Sequence, residues 1–87
     1  MSVHGEFERY VRALVELLRA SGDPHRIGEA DEIERLALAP ETSLSVRAAA
    51  LLDRGLPADA SAPASWPPEA AEALDPLVHI THIILGR

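Results

Sequence analysis

Three side chains near the carboxyl end of the chain have the chemistry and spacing of metal ligands. His79 and His82 are three residues apart, and Asp75 precedes His79 by four residues. Side chains three or four residues apart lie on the same side of a helix, and imidazole and carboxylate groups bind divalent metals. A closed site would need a further ligand from elsewhere, such as His4 or His25. In the alternative interpretation, Asp75 caps a helix and the histidines are solvated or lie at an interface.

The composition offers little support for other kinds of catalytic chemistry. The chain has no cysteine, which excludes thiol nucleophiles, thiolate metal sites and disulfides. Its serines fall at predicted helix caps and loops, where no base is placed to activate a nucleophile. Its acidic residues fall on predicted helix exteriors, where solvent keeps carboxylates in their ordinary ionised state. We therefore expect neither an enzyme nor a bound cofactor.

The net charge of the chain indicates which class of macromolecule it can bind. With 8 basic and 14 acidic residues, the formal charge is -6. Phosphate backbones and anionic membrane surfaces both attract cationic patches, so the negative charge disfavours a nucleic acid partner and favours a protein partner. The most apolar run is far shorter than the roughly 20 residues that span a bilayer. The amino end also lacks the features of a signal peptide, and we expect a cytoplasmic protein without a membrane segment.

Hydrophobic periodicity and helix-cap signals predict three helices in residues 1–55. Apolar residues recur at three- and four-residue spacing from position 5 to position 20 and form one face of a first helix. Asp23, followed by a proline, predicts the start of a second helix that extends to about residue 38. Thr42 or Ser43 can cap a third helix, which Gly55 ends.

Residues 56–87 are predicted to form a connector followed by further helix. Residues 56–68 contain four prolines among small residues and predict an extended segment. Trp66, the only tryptophan, is expected to pin this connector onto the core; the alternative is an exposed binding anchor. Pro76 lacks an amide donor and disfavours helical geometry at Asp75, so we predict a break there. The β-branched run at 77–85 also suits a strand, but no other segment offers a strand partner.

These elements predict an all-α fold, a small bundle of four to five short helices in a single domain over residues 1–87. It comprises a three-helix unit at 1–55, a Pro-rich connector at 56–68 and a C-terminal helical segment at 69–87. The apolar C-terminal segment must be buried, either on the first three helices or against a second copy of the chain. The residues expected to make intermolecular contacts are Trp66, Leu77, Ile80, Ile83 and Ile84.

A non-catalytic role follows from these expectations. We predict an acidic protein-interaction module of the adaptor, inhibitor, antitoxin/immunity or small complex-subunit kind, which binds a protein partner or forms a homo-oligomer such as a homodimer. The first alternative is a helix-turn-helix DNA-binding regulator whose third helix exposes Ser45, Arg47 and Arg54. The second alternative is a small metal-binding protein that uses the two histidines and the aspartate described above.

Overall fold

The computed structural model describes residues 2–57 and 61–86, and over these residues it contains helices and no β-strand. Helix α1 spans Val3–Ala20, α2 spans Pro24–Ala37, α3 spans Leu44–Ala50 and continues into a π-helical turn at Leu51–Gly55, and α4 spans Pro68–Leu85. The predicted all-α fold is confirmed, as is helix rather than strand for residues 77–85. Positions 1, 58–60 and 87, which fall in the predicted domain and its connector, lie outside the described residues.

The starts of α2 and α3 lie where the sequence predicts them, because a side chain at each start binds a free backbone amide. Asp23 accepts a hydrogen bond from the amide of His25 at 2.9 Å. Ser43 accepts one from the amide of Val46 at 3.3 Å. A cap of this kind is worth about 1 kcal/mol and can be read from local sequence alone.

The two longest helices, α1 and α4, run most of the length of the molecule. Each has 18 residues, which gives a length of about 27 Å, and the longest dimension of the molecule is 31 Å. Helix α1 packs against α2 and α4 and places its apolar stripe in the core. The residues of the core cluster that are fully shielded from solvent are Phe7, Val11, Leu14, Leu18, Ala30, Ile33, Ala37, Ala48, Leu51, Ala70 and Leu77.

The break predicted at Pro76 is wrong, because α4 continues through the proline from Pro68 to Leu85. Asp75 accordingly lies exposed inside this helix and does not cap one. A proline inside a helix removes a hydrogen bond and costs about 3 kcal/mol. Leu74 and Leu77, on either side of the proline, are buried, and each contributes roughly 1.5–3 kcal/mol on burial. Tertiary packing therefore offsets the local cost.

The end of the connector is fixed to the core and sets the direction of α4. Trp66 is buried, and the neighbouring Ser65 hydroxyl accepts a hydrogen bond from Arg26 in the first turn of α2. The start of α4 therefore lies beside the start of α2, which follows the end of α1 by a three-residue turn. Helix α4 thus runs antiparallel to α1 and ends where α1 begins. None of the described helices is long and apolar enough to cross a membrane.

Candidate functional site

The end of the bundle where α1 begins carries exposed apolar side chains. Val3, Val46 and Ile83 are the large apolar residues that the described chain exposes, at 40%, 55% and 52%. Arg47 Nη2 lies 3.2 Å from His4 Nε2, so the first turns of α3 and α1 are adjacent and bring Val46 and Val3 to this end. Ile83 reaches the same end because α4 is antiparallel to α1. We refer to Val3, Val46 and Ile83 as the apolar end.

The structure divides the five residues predicted for intermolecular contacts into two groups. Trp66, Leu77 and Ile80 are buried inside their own chain and belong to its core. Ile83 is exposed, and Ile84 is partly buried while packing against the core. A partner can therefore reach Ile83 and part of Ile84 without unfolding the helix. The contact prediction stays a prediction, and its accessible part is the last turn of α4.

The three candidate metal ligands share the outer side of α4 but do not meet at one point. Asp75 and His79 are exposed, and His82 is partly exposed. Asp75 and His82 are seven residues apart in a continuous helix, which separates them by about 10 Å along its axis. Metal–ligand bonds to nitrogen or oxygen are roughly 2 Å long. Within residues 2–57 and 61–86, no group of three histidine, cysteine, aspartate or glutamate side chains could hold a metal ion.

Arg47 is buried, whereas the DNA-binding alternative expected α3 to expose it. Only 7% of its side chain is accessible, and its Nη1 lies 3.6 Å from the carboxylate of Glu8. The same nitrogen donates a long hydrogen bond to the carbonyl of Ala37 at 3.4 Å. A side chain that reads DNA must reach the base edges in a groove. Of the three residues proposed for that role, Ser45 and Arg54 are exposed, and Arg47 instead ties α3 to α1 and α2.

The sequence contained a signal for the burial of Arg47 that the prediction did not use. Arg47 follows Leu44 by three residues and precedes Leu51 by four. Residues at these spacings lie on the same face of a helix. Arg47 is thus part of the apolar stripe of α3, and Val46, one position earlier, faces outward. The same spacing argument could have identified Val46 as an exposed apolar residue.

The best-paired charges on the surface join α1 to α2. Arg19 Nη2 donates to Asp31 Oδ1 at 2.7 Å and to Glu34 Oε1 at 3.0 Å, and Arg19 Nη1 donates to Glu34 Oε2 at 3.2 Å. The hydrogen bonds from Arg19 lower the pKa of Glu34. The hydrogen bonds that Arg19 donates to Glu34 and Asp31 raise its own pKa. Each of these groups is already paired with an opposite charge, and the cluster fits a contact that holds two helices together.

Comparison with known proteins identifies no family for this chain. No family model matches the chain, and neither does any curated protein or any solved structure. The case for a function therefore depends on surface geometry. The apolar end is where the described residues leave their large apolar side chains exposed.

Proposed function

We propose that the protein is a non-catalytic interaction module that self-associates by packing the apolar end of one copy against that of another. The observation that carries the proposal is the exposure of Ile83 together with Val3 and Val46 at one end of the bundle. Fully burying a valine or isoleucine is worth about 1.5–3 kcal/mol, and roughly half of that is still available for each of these side chains. Association would recover this free energy.

The acidic residues of the chain limit how tightly two copies can associate. A chain with a formal charge of -6 repels its own copies, so the location of the acidic residues decides whether the two ends can meet. Glu69, Glu72 and Asp75 have no ion-pair partner among the described residues and lie in the first half of α4. Glu6 in the first turn of α1 and Glu41 beside Val46 also have none, and they lie close to the apolar end. Asp75 is eight residues from Ile83, or about 12 Å along the helix. This distance exceeds the Debye length of about 8 Å at physiological ionic strength.

The size of the apolar end predicts a weak dimer. The molecule measures 24 × 23 Å across its shorter dimensions, so one end offers about 550 Å² of projected area. This is less than the roughly 800 Å² per partner of a standard stable interface. We expect a dissociation constant between about 10 μM and 1 mM, which suits an adaptor, an inhibitor, an antitoxin or immunity protein, or a small complex subunit that exchanges partners. The cysteine-free chain also fits the reducing cytoplasm.

The folded monomer is expected to survive when association is blocked. The accessible surface of one copy is 4937 Å², and a lone folded protein of 9.4 kDa is expected to expose about 5,000 Å². The core is therefore complete within one chain. Variants at the apolar end can test association without unfolding the protein.

Sedimentation velocity over protein concentrations from about 1 μM to 1 mM tests the proposal. The weight-average mass of the natural sequence should rise above the 9.4 kDa of one chain as concentration increases. Ile83→Glu should remain a monomer, because it places a charge at the contact. Ala13→Glu is the matched control, since it adds the same charge at an exposed position in the middle of α1 and should associate normally. A natural sequence that stays monomeric throughout, or an Ile83→Glu variant that still dimerises, would contradict the proposal.

A further inference from the structure

A pocket of about 230 Å³ opens between the end of α2 and the outer side of α3, lined by three arginines, Arg35, Arg47 and Arg54. Apolar side chains, Leu36 and Val46 among them, form part of the wall, and Glu41 is its one acidic residue. Arg35 is paired with Glu32 and Arg47 with Glu8, and no acid pairs with Arg54 among the described residues. The pocket therefore places one unpaired cation beside apolar surface.

Two of the arginines retain hydrogen-bonding capacity that the described residues do not use. Arg54 is exposed, and no hydrogen bond or ion pair joins it to another described residue. Arg47 is buried, and its Nε has no hydrogen-bond partner. Arg35, by contrast, is held by Glu32 at 2.5 Å. A buried charged donor without a partner costs free energy and is uncommon in folded proteins. Arg47 Nε is shielded from solvent, so the unpaired guanidinium that an anion in the pocket can reach is that of Arg54.

We infer that the pocket binds a small organic carboxylate, with its acid group at Arg54 and its apolar body against Leu36 and Val46. The planar guanidinium presents a fork of donors that matches a carboxylate. A cavity of about 150 Å³ is large enough for benzene, so this pocket has room for a benzoate-sized or six-carbon acid. It is smaller than the roughly 300–1,000 Å³ of pockets for drug-sized ligands. The apolar wall favours such an acid over inorganic phosphate.

Val46 belongs both to the apolar end and to the pocket wall, so the inference is tested with a variant designed to stay monomeric. Benzoate is titrated into the Ile83→Glu chain at about 50 μM and constant ionic strength, and amide chemical shifts are followed by NMR. We expect saturable shifts in α3 and the α2–α3 loop with a dissociation constant of about 1–10 mM, as suits a ligand of this size. The spectra also report whether each variant is folded.

Two substitutions with opposite expected effects on the affinity for benzoate make the test specific. Arg54→Gln should weaken benzoate binding about tenfold, the factor expected for one charge-assisted hydrogen bond. Glu41→Gln should tighten binding several-fold, because it removes the one negative charge in the lining. Arg9→Gln is the matched control: Arg9 lies exposed on α1, stacked on Tyr10 and outside the pocket, and its loss should leave binding unchanged.

Other ligands test separately whether binding requires the acid group and whether it requires the apolar body. Benzyl alcohol keeps the apolar body without the charge, and inorganic phosphate keeps the charge without the body; both should bind at least tenfold more weakly than benzoate. The inference is overturned if benzoate gives no saturable shift, or if benzyl alcohol or phosphate binds as tightly as benzoate. It is equally overturned if Arg54→Gln binds benzoate like Arg9→Gln.

Discussion

Helix α4 allows a direct test of which apolar residues stabilise the monomer and which remain free for a partner. Leu77 and Ile83 lie six residues apart in the same helix, but Leu77 is inaccessible to solvent and Ile83 is half exposed. Replacing either residue with alanine removes the same number of carbon atoms. The difference between the two changes in unfolding free energy therefore measures burial rather than side-chain size.

The magnitudes follow from the environments of the two side chains. Truncation of a fully buried leucine leaves a cavity and costs about 2–5 kcal/mol. Truncation of Ile83, which is half exposed in the monomer, should cost less than about 1 kcal/mol. A domain of 87 residues is expected to have a total stability of about 4–13 kcal/mol. Leu77→Ala should therefore remove about a seventh of this stability at the least, and all of it at the other end of the two ranges.

Urea unfolding followed by the fluorescence of Trp66 provides the assay. Trp66 is the one tryptophan of the chain and is buried in the folded state, so its emission reports exposure on unfolding. At about 2 μM, below the expected dissociation constant of the dimer, the measurement reports the monomer. With an m value of about 1–1.5 kcal/mol/M, Leu77→Ala should lower the urea midpoint by about 1.3 M or more and Ile83→Ala by less than about 1 M.

Either of two results would refute the assignment of these residues. A Leu77→Ala variant that loses less than about 1 kcal/mol would show that α4 does not bury this residue in the monomer. An Ile83→Ala variant that loses as much as Leu77→Ala would show that the last turn of α4 lies in the core. In the second case the apolar end would lose its central residue, and the proposed contact between copies would lose its basis.

Three further predictions concern the proline, the buried arginine and the surface ion pairs. Pro76→Ala should stabilise the fold by about 1–2 kcal/mol in urea unfolding, since it restores an amide donor to the carbonyl of Glu72 while a freer unfolded chain offsets part of the gain; no gain would mean that the helix is not strained there. Arg47→Ala should cost about 2–4 kcal/mol through lost packing and pairing, whereas Arg47→Met, which keeps the aliphatic volume, should cost less than about 1 kcal/mol; equal losses would point to the charge. Because Arg19 lowers the pKa of Glu34, the ionised carboxylate stabilises the fold above the ordinary carboxyl range, and this contribution is lost as the pH falls through and below that range. Thermal unfolding over that range should show a larger loss for the natural sequence than for Glu34→Gln, and parallel losses would be evidence against the ion pair.

The candidate sites were only partly predictable from sequence. Ile83 was expected to make contacts because it lies in the most apolar run, and it is exposed. Val3 and Val46 were not expected at the same place, because the antiparallel course of α4 and the contact between Arg47 and His4 bring them together. Arg54 was expected on the surface, but a pocket beside it could not be foreseen, since its walls come from both α2 and α3.

The sequence by itself determined the features that depend on neighbouring residues. The apolar stripe of α1, the cap of α2 at Asp23 and the cap of α3 at Ser43 are all local, because a helix face or a capping bond involves residues within one or two turns. The left-handed conformation of Gly86 at the end of α4 is local in the same sense.

Only the tertiary structure decided what happens where local and non-local free energies oppose each other. The local cost of Pro76 favours a break, and burial of Leu74 and Leu77 against the other helices outweighs it. The charge of Arg47 favours solvent, and contacts with α1 and α2 keep it inside. In the C-terminal run, Leu77 is buried and Ile83 is exposed, and this difference depends on where α1 lies against α4. The surface that the other helices offer sets how many apolar residues of α4 can be buried, and the sequence of the run does not.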